Sequence, residues 1–107
     1  MNSDVLIIGS GIIGLAIARE LNKKGVRKIT ILERGQIGKE ASHAAAGMLA
    51  PHAETEKIDD FYRFCDESNK LYPRFAEELF DETDIDIELD KNGTLYLAFT
   101  ETDAKEI

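Results

Sequence analysis

The spacing of hydrophobic positions changes along the chain, and each change predicts a different element. Asp4 to Ile8 closes on a short, continuously apolar, β-branched run, the pattern of a strand buried on both faces. Ile13, Ala16, Ile17 and Leu21 then recur at helical spacing. That helix closes on Lys23, Lys24 and Gly25: cations suit its last turn, and glycine takes the left-handed conformation after it. Lys28 to Glu33 reads as a second strand. From Lys57 to Glu82, Phe61, Phe64, Cys65, Ser68, Leu71, Tyr72, Phe75 and Leu79 form one apolar stripe on a long helix. Pro73 lies inside that pattern and predicts a kink or a break between two helices. Asp84 to Phe99 switches to period two, and Asn92-Gly93 between two alternating runs predicts an antiparallel hairpin.

Residues 35–50 fit neither period. Gly35, Gly38 and Gly47 bracket Ala41, Ser42, Ala44, Ala45 and Ala46. Composition alone leaves two readings open, an alanine-rich helix on the core or a loop whose backbone closely approaches something else. At the other end, Thr100 and Asp103 make the S/T-x-x-D signature of a helix start about one turn before the last residue. One turn is too short to nucleate alone, and no third strand covers the two parallel ones. The expectation is the first part of something larger; the alternative is a small domain completed by its own dimer.

The 107 residues include one Cys and no Trp, which excludes an intrachain disulfide scaffold. The formal charge of −8 argues against a nucleic-acid partner. That charge is unevenly spread: residues 1–50 carry seven Lys and Arg against four Asp and Glu, and residues 51–107 carry six against seventeen. The first half therefore suits an anion, and the second presents a solvated acidic face. The apolar start lacks a basic flank and is interrupted by three glycines, so it reads neither as a signal peptide nor as a membrane span, and a cytoplasmic location is expected.

The chemistry concentrates where the first strand meets the first helix. Gly9-x-Gly11-x-x-Gly14 follows a strand, opens a helix and precedes a second strand that ends on an acid. Gly9 permits the tight turn, Gly11 lets a pyrophosphate reach the backbone, and Gly14 lets helix and sheet pack closely. The amides around Ile12 and Ile13 would then face the anion. Glu33, nineteen residues after Gly14, would accept hydrogen bonds from both ribose hydroxyls and repel a 2′-phosphate, which favours NAD or FAD over NADP. A P-loop is excluded because no Gly-Lys-Ser/Thr follows. Asp84, Asp86, Glu88 and Asp90 do not make a calcium loop, since Leu89 stands where its glycine is needed. His43 and His52 are not spaced as metal ligands and read as loop or pocket-wall residues, and Cys65 reads as core. No metal site and no catalytic residue is predicted.

Three stretches, DVLIIGSGIIGLAIAREL, ILERG and GKEASHAAAGMLAPHAE, together resemble the start of the D-amino-acid oxidase superfamily of flavoproteins, and within it the thiamine-pathway glycine oxidases. LYPRFAEEL and NGTLYLAFTETD fit the same family, so the resemblance covers essentially the whole chain but only about the first third of such an enzyme. It implies an α/β fold: the first part of a Rossmann-like FAD-binding domain over 1–83, then the first hairpin of a substrate domain over 84–107. It implies FAD rather than NAD, with the pyrophosphate on Ile12 and Ile13 and the adenosine ribose at Glu33 and Arg34. Ala41, Ser42, Ala46, Gly47 and Met48 would run along the pyrophosphate and flavin, which favours the loop reading of 35–50. The family oxidises an amine alpha to a carboxylate, giving an imine and hydrogen peroxide. The arginine that pairs with the substrate carboxylate matches no residue here, so the chain alone is expected to be inactive. The partners implied are a small amino-acid substrate in the complete enzyme, the missing carboxy-terminal portion or a partner chain, and further copies in a homo-oligomer. A different class stays open beside this: a non-catalytic flavin- or NAD-binding subunit.

Overall fold

A computed structural model describes residues 2–55 and 57–106. Two strands and five helices follow in the order β1 (Val5–Ile8), α1 (Ile12–Lys23), β2 (Ile29–Leu32), α2 (Ala41–Ala44), α3 (Pro51–Glu54), α4 (Asp60–Thr83) and α5 (Asp103–Glu106). Contacts divide them into two compact units, 1–48 and 49–107.

The first unit is a parallel β–α–β arrangement. β1 and β2 pair in register, Val5 opposite Ile29 and Ile8 opposite Leu32. The apolar, β-branched composition of both strands explains why they pair with a helix laid over them. α1 lies on the Val5 and Ile7 side, where a Cβ on Gly14 would collide with the Gly9 carbonyl oxygen and touch Ile7 Cγ2. The approach therefore requires glycine at position 14. α1 ends as its composition predicts: Gly25 takes φ +92°, its amide donates to Asn22 O, and the Val26 amide donates to Leu21 O. The small-residue stretch resolves into neither simple reading. It is an irregular segment holding one helical turn, α2.

The second unit is built on α4. Asp59 caps its start by accepting the Tyr62 amide at 3.0 Å, and Asp84 ends it in the left-handed conformation at φ 61°. Asp60–Arg63, Asp66–Lys70 and Arg74–Glu78 pair along its surface. The break expected at Pro73 does not occur, and α4 runs through it as one 24-residue helix. A proline removes one amide and crowds one carbonyl, and the turns on either side keep their own bonds. The stripe turned inward also differs from the one expected. Of the expected positions Cys65, Tyr72, Phe75 and Leu79 are half-buried, joined by Tyr62, Asn69 and Ala76, whereas Phe61, Phe64, Ser68 and Leu71 are exposed. At the start of α4 that side meets α3, whose His52 ring packs edge-on against Tyr62, with Tyr62 Oη 2.6 Å from Nδ1.

Residues 85–99 show no strand, so the predicted hairpin is not formed. Asp86 and Asp90 take the amides of Glu88 and Asn92, turning the backbone locally, and Glu88 adopts φ 55°. An isolated two-stranded hairpin is marginal in water, and Leu95 and Phe99, which would supply its apolar face, are each 84% exposed. The helix start predicted at Thr100 is present: Thr100 Oγ1 accepts the Asp103 amide, and Asp103 Oδ2 accepts the Thr100 and Phe99 amides. The Thr100 hydroxyl foremost, then the Phe99 and Thr100 amides, hold the Asp103 carboxyl below its ordinary range. No described helix is long and apolar enough to cross a membrane.

Candidate functional site

Parallel pairing brings the carboxy-terminal ends of β1 and β2 side by side, and the glycine turn and the segment after β2 face each other across a crevice. The cavity there measures about 360 Å³, within the roughly 300–1,000 Å³ range of small-molecule sites. Gly9 and Gly11 form one wall, and Glu33, Arg34, Ala41 and Ser42 are among the residues on the other. The first unit therefore gathers six of the sequence-predicted residues at one place.

Glu33 is the most tightly held group in the crevice. Its Oε2 accepts the Ser10 amide at 2.9 Å and the Ser10 hydroxyl at 2.8 Å, and its Oε1 accepts the Gly35 amide at 2.9 Å. These donors, the Ser10 amide foremost, lower the carboxyl from 4.5 to about 2. The group is an anion throughout the physiological range. Arg34 beside it reaches Glu40, 3.7 Å away.

The opening of α1 is arranged for an acceptor. Helix geometry leaves its first amides without intrahelical partners. The Ile12 amide donates instead to Ser42 Oγ at 2.9 Å, across thirty residues of sequence. A Cβ on Gly11 would lie 3.1 Å from the same oxygen, so glycine there admits the Ser42 hydroxyl to the helix end. α2 is the turn that delivers Ser42.

The remaining predicted residues lie elsewhere. Gly14 serves the packing of α1 against β1, as described above. The side chains of Ile12 and Ile13 are exposed and take no part in lining the cavity. Ala46, Gly47 and Met48 follow α2 in irregular backbone, Gly47 at φ +75°, also outside the cavity lining. Sequence reasoning missed Ser10, Gln36, Gly38 and Glu40. Ser10 left one faint signal, a hydroxyl between two glycines at the end of a strand.

Comparison with known proteins places this geometry. The chain matches the FAD dependent oxidoreductase family over residues 4–107. It is 45% identical over 104 residues to the glycine oxidase of Bacillus licheniformis, covering 97% of this chain and 28% of that protein. It is 53% identical over 78 residues to the bifunctional protein ThiO/ThiG of Synechocystis, covering 72% of this chain and 12% of that protein. The crystal structure of glycine oxidase from Geobacillus kaustophilus superposes with a TM-score of 0.87 at 43% identity, covering 96% of this chain and 28% of the solved one. The chain thus spans just over a quarter of the length of the glycine oxidases it matches. The family match takes in every residue that lines the crevice, and on that ground this chain belongs to the FAD-dependent oxidoreductase family.

Proposed function

We propose that the crevice holds the adenosine diphosphate part of FAD, and that the chain serves a glycine-oxidase-type enzyme. The carrying observation is the meeting of an ionised Glu33, the opening of α1 and Ser42 in one cavity. The residues present suit the group. Glu33 is an acceptor for ribose hydroxyl, the amides of Ile12 and Ile13 and the Ser42 hydroxyl are donors for a diphosphate, and Gly11 leaves the backbone open. Arg34 and Ala41 flank these, and the segment through Ala46, Gly47 and Met48 continues toward the flavin.

FAD, when bound, supplies the two-electron oxidation of an amine alpha to a carboxylate. The complete enzyme would convert glycine or another small amine-carboxylate to its imine, with hydrogen peroxide as the second product. In this reading residues 1–83 belong to the FAD-binding domain and 84–107 open the substrate domain. The rest of the enzyme comes from further sequence or a partner chain, in a homo-oligomer.

The experiment is retention of FAD. Purified protein mixed with FAD and passed through a desalting column should carry flavin absorbance, and Glu33→Arg should retain less with its circular dichroism unchanged. Equal retention by the variant removes Glu33 from the ribose role. Binding of NAD without FAD would favour a nicotinamide-binding subunit instead.

A further inference from the structure

Asn92 and Gly93 lie within 85–99, where no strand forms, and both are exposed. Asparagine followed by glycine sets a nucleophile and an electrophile within reach of a small ring: the main-chain nitrogen of Gly93 and the side-chain carbonyl carbon, Cγ, of Asn92. Nothing crowds their approach. Gly93 takes φ +83°, a Cβ built on it would meet nothing within 4 Å, and its amide donates to no described residue. Asn22 and Asn69 are placed differently, since they lie in α1 and α4, where helical hydrogen bonds hold the amide that follows each.

One contact opposes the reaction. Asp90 Oδ2 accepts Asn92 Nδ2 at 2.8 Å, and Asp90 Oδ1 accepts the Asn92 amide at 2.9 Å. Asp90 thus braces both the leaving nitrogen and the main chain of Asn92. An N–H that donates to an anion keeps electron density on its own amide, which leaves the carbonyl carbon a poorer electrophile. The same negative charge disfavours loss of the Gly93 proton, which attack requires.

We propose that Asn92-Gly93 is a site of spontaneous covalent modification and that Asp90 restrains it. The Gly93 nitrogen gives its proton to solvent and bonds to Asn92 Cγ. The Cγ–Nδ2 bond breaks, and the departing nitrogen takes a proton from water and leaves as ammonia. Water then opens the succinimide ring at either carbonyl. One product is aspartate; the other is isoaspartate, whose main chain runs through Cγ and is longer by one methylene. Either adds a negative charge beside Asp84, Asp86, Glu88 and Asp90. The added methylene falls where a two-residue hairpin turn would sit. Water is the co-reactant, so the site stands independently of the FAD reading.

Peptide mapping of the purified chain during incubation in warm neutral buffer tests this. The peptide holding Asn92 should gain the mass difference between an amide and an acid well before those holding Asn22 and Asn69. A protease that cuts at aspartate should cleave only part of the product at position 92. Asp90→Ala should speed the conversion about three- to tenfold, through loss of the two bonds. Gly93→Ala should slow it, because a Cβ crowds the attacking nitrogen. Conversion at Asn92 no faster than at Asn22 and Asn69 overturns the site. A rate unchanged or lowered in Asp90→Ala overturns the restraint. An equal rate in Gly93→Ala, with aspartate as the sole product, overturns the ring-forming step.

Discussion

Glu33 is held by donors rather than by burial, and its titration follows from that. Its carboxyl lies near 2 when folded and at about 4.5 when the donors are absent. A group whose pKa is lowered by folding stabilises the fold above its unfolded value and loses that contribution as pH falls through the folded one. The unfolding free energies of wild type and Glu33→Gln should therefore differ most above pH 4.5, and the gap should close between pH 4.5 and about 2. Urea titrations followed by circular dichroism read this directly, and a gap independent of pH would contradict the Ser10 and Gly35 bonds. Gly14→Ala should be harmful for a steric reason: its new Cβ meets a backbone oxygen that has nowhere to move. A loss of about 1–3 kcal/mol is expected from the denaturation midpoint. Glycine and acid were both legible in the sequence, because the motif's spacing encodes the turn and the end of the second strand. Ser10 was not. Its partner lies 23 residues away, and the two meet only once the strands pair in parallel.

α4 shows how far periodicity reaches. Its existence, length and amphipathic character follow from the spacing of Phe, Tyr and Leu, and its start is marked by Asp59, whose amide-capping carboxylate was legible only as part of a polar face. Which edge of the stripe turns inward was not fully legible, because it depends on contacts distant in sequence, such as His52 against Tyr62. Replacing the cap with Asp59→Ala should cost about 1 kcal/mol. Pro73→Ala should act in the opposite direction, restoring an amide and relieving one carbonyl. A gain of about 1–3 kcal/mol is expected, with slower amide exchange over residues 69–77. Exchange that separates α4 into two independently opening halves in the wild type would contradict the continuous helix. The hairpin illustrates the converse. Its alternation and its Asn92-Gly93 turn are plain in the sequence, yet local Asp-to-amide bonds hold the backbone where no apolar surface receives Leu95, Leu97 and Phe99.

Neither unit closes an apolar core: among the described residues no aliphatic or aromatic side chain is fully buried. In the first unit α1 covers one face of the two-stranded sheet, while Leu6, Ile8 and Leu32 lie on the other, with Ile8 84% exposed. In the second, Phe64 and Leu71 line the outer edge of α4 at 72% and 67% exposed. Chains of this size ordinarily remove well over half of their surface from water, and contiguous apolar faces left open drive association. The part of the matched glycine oxidases outside the shared stretch is about two and a half times as long as the stretch itself. The purified chain should therefore self-associate and bind a hydrophobic dye strongly. Phe64→Ser with Leu71→Gln should reduce dye binding from the second unit, and Leu6→Thr with Ile8→Thr should do so from the first, each by a fraction rather than wholly. Light scattering on the eluting peak gives the assembly state in the same experiment. Adding the part of the Geobacillus kaustophilus glycine oxidase that lies outside the matched stretch should lower dye binding and slow backbone exchange in β1 and β2, if those faces are built to be covered by enzyme of that kind. A monomeric, dye-silent chain would show instead that the exposed strands and helix edge are stable in water as they stand.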